Sequence, residues 1–96
     1  MAKTKILNDF TADTPKYLEQ NAGVSNIFIA NVFDVEVKAS VRFGIPGGFA
    51  FIVKDAKIPV GTTLKVLENQ LIQTPGSKLA VITDTTGGIE VVYTAL

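Results

Sequence analysis

The stretch VFDVEVKASVRFG, Val32 to Gly44, decides how this chain is read. From Val35 onward the residues alternate: Val35, Val37, Ala39, Val41 and Phe43 are apolar, while Glu36, Lys38, Ser40 and Arg42 are polar. Successive side chains of a strand point to opposite faces, so a period of two predicts a strand with one dry face and one wet face. Other apolar runs are not divided in this way. NIFIANVF (26–33) and FAFIV (49–53) are apolar on both sides, and any account of the fold has to explain both patterns.

Outward from this stretch, β-formers recur at short intervals between turn residues. Strands are expected near 4–10, 16–20, 24–32, 35–43, 49–54, 63–67, 70–73, 78–84 and 89–95. About seven to nine short strands with turns between them predict an all-β fold, an antiparallel β-sandwich of jelly-roll or Ig-like type. GIPGG (44–48) is a hairpin tip, since its three glycines and one proline suit no strand interior. IPVG (58–61) fits a type I turn and TPGS (74–77) a type II turn. TTGG (85–88) separates two strands of similar length, which predicts a hairpin of 78–84 with 89–95. TPKYLEQNAG (14–23) has a helix-start pattern in Thr14 and Pro15, but its shortness favours an extended path.

The 96 residues form one domain, 1–96, with 1–20 the least patterned part and a candidate extended N-terminal arm. Nine basic residues balance nine acidic ones, so no global charge points to nucleic acid or an anionic membrane. The charged share of 19% is low for a globular domain, for which about 25% is usual, a mild sign of a protein partner. The basic N-terminus lacks the apolar run of about 7–15 residues that a secretory signal needs. No stretch reaches the roughly 20 apolar residues of a membrane span, and no membrane partner is expected.

Histidine and cysteine are both absent, which removes the common general base and the common nucleophile–base pairs. No catalytic residue, cofactor or metal site is expected, and the chain reads as a non-enzyme. Asp9, Asp13, Asp34 and Glu36 read as solvated carboxylates, and Asp84 beside Thr85 and Thr86 lacks EF-hand spacing. GIPGG lacks the Lys-Ser/Thr and the helix of a phosphate loop. Lys38, Arg42, Lys54 and Lys57 lie near Phe49 and Phe51 in sequence. Alternation turns both rings inward, so no cationic stripe with exposed aromatics is expected and nucleic acid is not an expected partner.

The two-sided apolar strands leave a second, smaller apolar set: Phe28, Ile52, Ile82 and Val92. In a sandwich the outer face of each sheet meets water, so these four are the candidate protein-interface residues. Three explanations stand. The N-terminal residues, through Ile6, Leu7, Phe10 or Leu18, cover the outer face; bulges shift the register and reassign the faces; or another protein chain covers them.

The C-terminal half carries a resemblance. In FIVKDAKIPVGTTLKVLENQLIQTPGSKLAVITDTTGGIEVVYTAL (51–96), a strand ending in lysine precedes IP-x-G, spaced leucines, a G-x-x-L turn and a valine-rich end. The matching residues are Lys54, Ile58, Pro59, Gly61, Leu64, Leu67, Leu71, Gly76, Leu79, Val81, Val91 and Val92; Tyr17 and AGVSNIFIAN (22–31) match more loosely. This order resembles a family of small virion structural proteins of tailed bacteriophages. Ser77 and Lys78 stand where that family usually has an acidic residue after the glycine. The resemblance implies a β-sandwich made in the host cytoplasm and built into the virion. It would act as a capsid decoration (cement) subunit, partnered by the major capsid protein or other virion proteins and likewise by copies of itself in a homo-oligomer. The alternatives it implies are a neck, tail or fibre component, or a receptor- or sugar-recognition module.

Overall fold

The computed structural model describes residues 3–19, 23–68, 70, 72–73 and 76–96. Nine strands are present among them: β1 (Lys3–Leu7), β2 (Lys16–Tyr17), β3 (Gly23–Asn31), β4 (Val37–Ile45), β5 (Gly48–Ile58), β6 (Thr63–Leu67), β7 (Ile72–Gln73), β8 (Lys78–Thr83) and β9 (Ile89–Ala95). They form two antiparallel sheets. Sheet 1 has the order β1-β9-β3-β6, with β7 also paired to β3, and sheet 2 the order β2-β8-β4-β5. The all-β sandwich is as expected, and no helix occurs among the described residues; 16–17 is extended.

The pairing is nested. β1 pairs with β9, β2 with β8, β3 with β6 and β4 with β5. The chain is thus a long ribbon folded back on itself at the β4–β5 turn and rolled into two sheets, the arrangement of a jelly roll. Nesting overturns the hairpin expected between 78–84 and 89–95. β8 lies between β2 and β4 in sheet 2, and β9 lies between β1 and β3 in sheet 1, so residues 84–88 cross from one sheet to the other.

At the innermost turn, Ile45 pairs with Gly48 and only Pro46 and Gly47 lie between the strands. Proline supplies the fixed φ of the second turn position, and Gly47 takes φ 97° at the third, a value that favours glycine. The 58–61 turn falls one residue later than expected. The Thr62 N–H donates to Pro59 O at 3.2 Å, so the turn spans Pro59–Thr62 with Gly61 at φ 73° in its third position. The turn at 74–77 has its first two residues outside the described ones.

The core lies between the sheets and draws on both. Val24, Ile27, Ile29, Val91 and Tyr93 from sheet 1 meet Val37, Ala39, Val41, Leu79 and Val81 from sheet 2. The alternation read in this strand places Val37, Ala39 and Val41 in the core as expected, but Ser40, expected on the wet face, is buried as well. Val35 is exposed and precedes the strand. The N-terminal residues supply edge strands β1 and β2, and Phe10 and Leu18 enter the core.

The crossing from β3 to β4 is fixed by buried Asn31. Its amide nitrogen donates to Val35 O at 2.9 Å and to Ile58 O at 2.8 Å, and its Oδ1 accepts the Phe33 N–H at 2.8 Å. One side chain thereby ties the last residue of β3 to the connecting loop and to the end of β5 in the other sheet.

Candidate functional site

The four candidate interface residues fall into two pairs on opposite faces. On the outer face of sheet 1, cross-strand pairing aligns Ile6, Val92, Phe28 and Lys65 in one row. Ile6 is 70% exposed and Val92 41%, while Phe28 is half-buried between its neighbours. Thr4, Thr94 and Asn26 form the row on one side, and Glu90, Ala30 and Thr63 the row on the other. The result is a narrow apolar stripe within polar borders. The described N-terminal residues, 3–19, do not cover it. Ile6 extends the stripe instead, while Phe10 and Leu18 are spent on the core.

Sheet 2 is where bulges matter. β5 has eleven residues and β4 nine, yet Val37 pairs with Ile58 and Ile45 with Gly48, so β5 carries two extra residues. One bulge lies opposite Ser40, whose Oγ accepts the Asp55 N–H at 2.9 Å; Asp55 itself takes φ 49°. The second is Ile52, between Val53, which pairs with Val41, and Phe51, which pairs with Arg42. An extra residue reverses the alternation. Counting back from inward Val53 by twos would place Phe51 and Phe49 in the core, but Ile52 turns both out. This corrects the inward assignment of these rings. Phe49 is 61% exposed and Phe51 38%, and they meet edge to face with centroids 5.7 Å apart. Ile52 is 37% exposed at the bulge, and half-buried Ile82 lies opposite Ser40.

On this face a cleft of about 590 Å³ opens between the β4–β5 hairpin tip and residues 76–78. Gly44 and Ala80 keep its floor low. Tyr17 and Phe49 stand at its sides, and Arg42, Ile45, Pro46, Gly76, Ser77 and Lys78 complete the described lining, which includes no carboxylate. Each exposed ring has a cation against it. Arg42 Cζ lies 4.9 Å from the Phe49 centroid, Lys54 Nζ 5.3 Å from Phe51 and Lys78 Nζ 5.5 Å from Tyr17, all within cation–π range. The strands of sheet 2 carry Lys38, Arg42, Lys54, Lys57 and Lys78 against Asp55, besides Lys16, whose ammonium turns away to Asn8 O and the core Phe10 ring. The ion pairs among the described residues, Lys5–Glu19 and Lys65–Glu68, lie elsewhere. A balanced total charge therefore conceals a cationic, aromatic face. No single-strand periodicity reveals it, because it depends on an inserted residue and on rows that run across strands.

Asp84 has a structural engagement. Its Oδ1 accepts the Lys38 N–H at 2.9 Å and the Thr85 hydroxyl at 3.0 Å. The Lys38 amide is the main reason its carboxyl lies below the ordinary aspartate range, with Thr85 and the Lys38 charge adding to it against the opposing effect of burial. A third apolar exposure, Val32, Phe33, Val35 and Val60, lies in the loops leading out of β3 and β5.

Comparison with known protein families, with curated proteins and with solved structures gives no significant match.

Proposed function

We propose that this chain is a structural protein of a bacteriophage particle, a capsid decoration subunit that stabilises the particle through protein–protein contacts. The observation that carries the reading is the Ile6–Val92–Phe28 stripe, apolar surface on a sheet face that no other described residue covers. The pattern of 51–96 supports the phage assignment. The jelly-roll pairing is compatible with it, since viral capsid proteins and lectins both use that fold, though a fold alone selects no function.

Magnitudes favour a many-sided assembly over an isolated pair. Full burial of a large apolar side chain is worth about 1.5–3 kcal/mol, so three already partly covered residues would return roughly 3–5 kcal/mol gross. Association costs an estimated 4–15 kcal/mol before net affinity appears. The stripe alone gives a weak contact. Held by several neighbours at once, each subunit makes its later contacts at high effective concentration.

The test is to mix the purified protein with bare capsids of a phage that encodes it. Saturable binding at symmetric stoichiometry, with raised resistance to heat, supports the proposal. Binding to host cells or glycans with no effect on capsids would refute it.

A further inference from the structure

We infer that the outer face of sheet 2 binds single-stranded nucleic acid, with Tyr17, Phe49 and Phe51 as stacking platforms and Arg42, Lys54 and Lys78 as phosphate contacts. The expectation against nucleic acid rested on the balanced total charge and on Phe49 and Phe51 facing the core, and the bulge at Ile52 turns both rings outward. What results is the combination such a ligand needs. Three exposed rings share one face, each within 4.9–5.5 Å of a cation. A base offers a flat π surface to any ring, and its own phosphate answers the neighbouring charge.

The spacing agrees. Tyr17, Arg42 and Phe51 belong to one cross-strand row, and Lys78 and Phe49 to the next. Three inter-strand spacings, roughly 14 Å, separate Tyr17 from Phe51, so successive bases can lie across the sheet. The cleft of about 590 Å³ between Tyr17 and Phe49 accommodates one nucleoside and falls within the usual range for such sites, about 300–1,000 Å³. A duplex hides its base faces and could use only the cations. An acidic peptide would likewise meet the cations but leave three rings without flat partners. A neutral sugar is disfavoured because no carboxylate or carboxamide is found among the described residues that line the cleft.

The test is fluorescence anisotropy with labelled oligothymidylate of about ten nucleotides, a duplex of equal length and polyglutamate as ligands. Single strands should bind at low salt, with log K falling against log salt by a slope of about −2 for three phosphate contacts. Duplex and polyglutamate should bind clearly more weakly. Phe49→Ala, at an exposed hairpin tip, should weaken binding about 5- to 100-fold with the melting temperature unchanged. Lys78→Gln, which leaves the apolar packing intact, should make the slope shallower by about 0.7. No binding of oligothymidylate overturns the inference. So does equal binding of duplex or polyglutamate, or an unchanged affinity in a folded Phe49→Ala protein.

Discussion

Replacing Asn31 by alanine removes three hydrogen bonds at once, of 2.8, 2.8 and 2.9 Å. Their partners differ in what they can do afterwards. Phe33 and Val35 lie in an exposed loop where water can replace the lost amide. Ile58 is buried, so its carbonyl oxygen loses a donor that water cannot readily replace. Two replaceable bonds cost about 0.5–1.5 kcal/mol each and the buried one about 1–3, which together make roughly 3 kcal/mol. For a domain of this size that lowers the melting temperature by about 12–24 °C, a large part of a total stability of about 5–15 kcal/mol. Far-UV circular dichroism during thermal and urea unfolding measures the change. Asn31→Asp sharpens the test, because a second acceptor then faces two carbonyl oxygens. Its folded-state pKa is raised, so stability is lost as pH rises through that value. Relative to the wild type, the variant should recover below about pH 4, where the carboxyl is protonated and can donate. A fall of only a degree or two for Asn31→Ala, or an Asn31→Asp protein as stable as wild type at neutral pH, would refute the assignment of Asn31 as the tie between the sheets.

Val92→Asp places a charge on the half-exposed stripe and should abolish attachment to capsids while costing the monomer less than about 1 kcal/mol; a monomer that unfolds would show that Val92 is core. Ser40→Ala deletes the acceptor of the Asp55 N–H and should cost about 1–2 kcal/mol. Amide exchange at Asp55 should accelerate with it, and an unchanged exchange rate would mean that the bulge is held by other contacts. Asp84 has a lowered carboxyl pKa, mainly through the Lys38 amide. It therefore contributes stability that is present above the unfolded aspartate pKa and lost as pH falls below about 4. Asp84→Asn should flatten that acid limb of the stability–pH curve, and an unchanged limb would assign it to other carboxylates.

The candidate surfaces were legible to different degrees. Phe28 and Val92 could be picked out because β3 and β9 keep strict alternation through these positions, and the structure sets them side by side. Ile6 was visible as an apolar residue but not as a member of their row, since that depends on β1 pairing with β9 across most of the chain. The cleft was hidden altogether. Its lining comes from β2, β4, β5 and β8 and from the residues before β8.

Local patterns were enough to specify the all-β class, the approximate strand positions, the buried side of 37–41 and the hairpin tip at Pro46–Gly47. Each follows from side-chain alternation or from the backbone preferences of proline and glycine, which act within a few residues. Partner choice came only with the folded ribbon: β8 joins β2 and β4, and β9 joins β1 and β3, although TTGG between them has the look of a hairpin turn. The outward turn of Phe49 and Phe51 is of the same kind. A bulge is a mismatch in length between two paired strands, so it is a property of the β4–β5 pair and is written in neither strand alone.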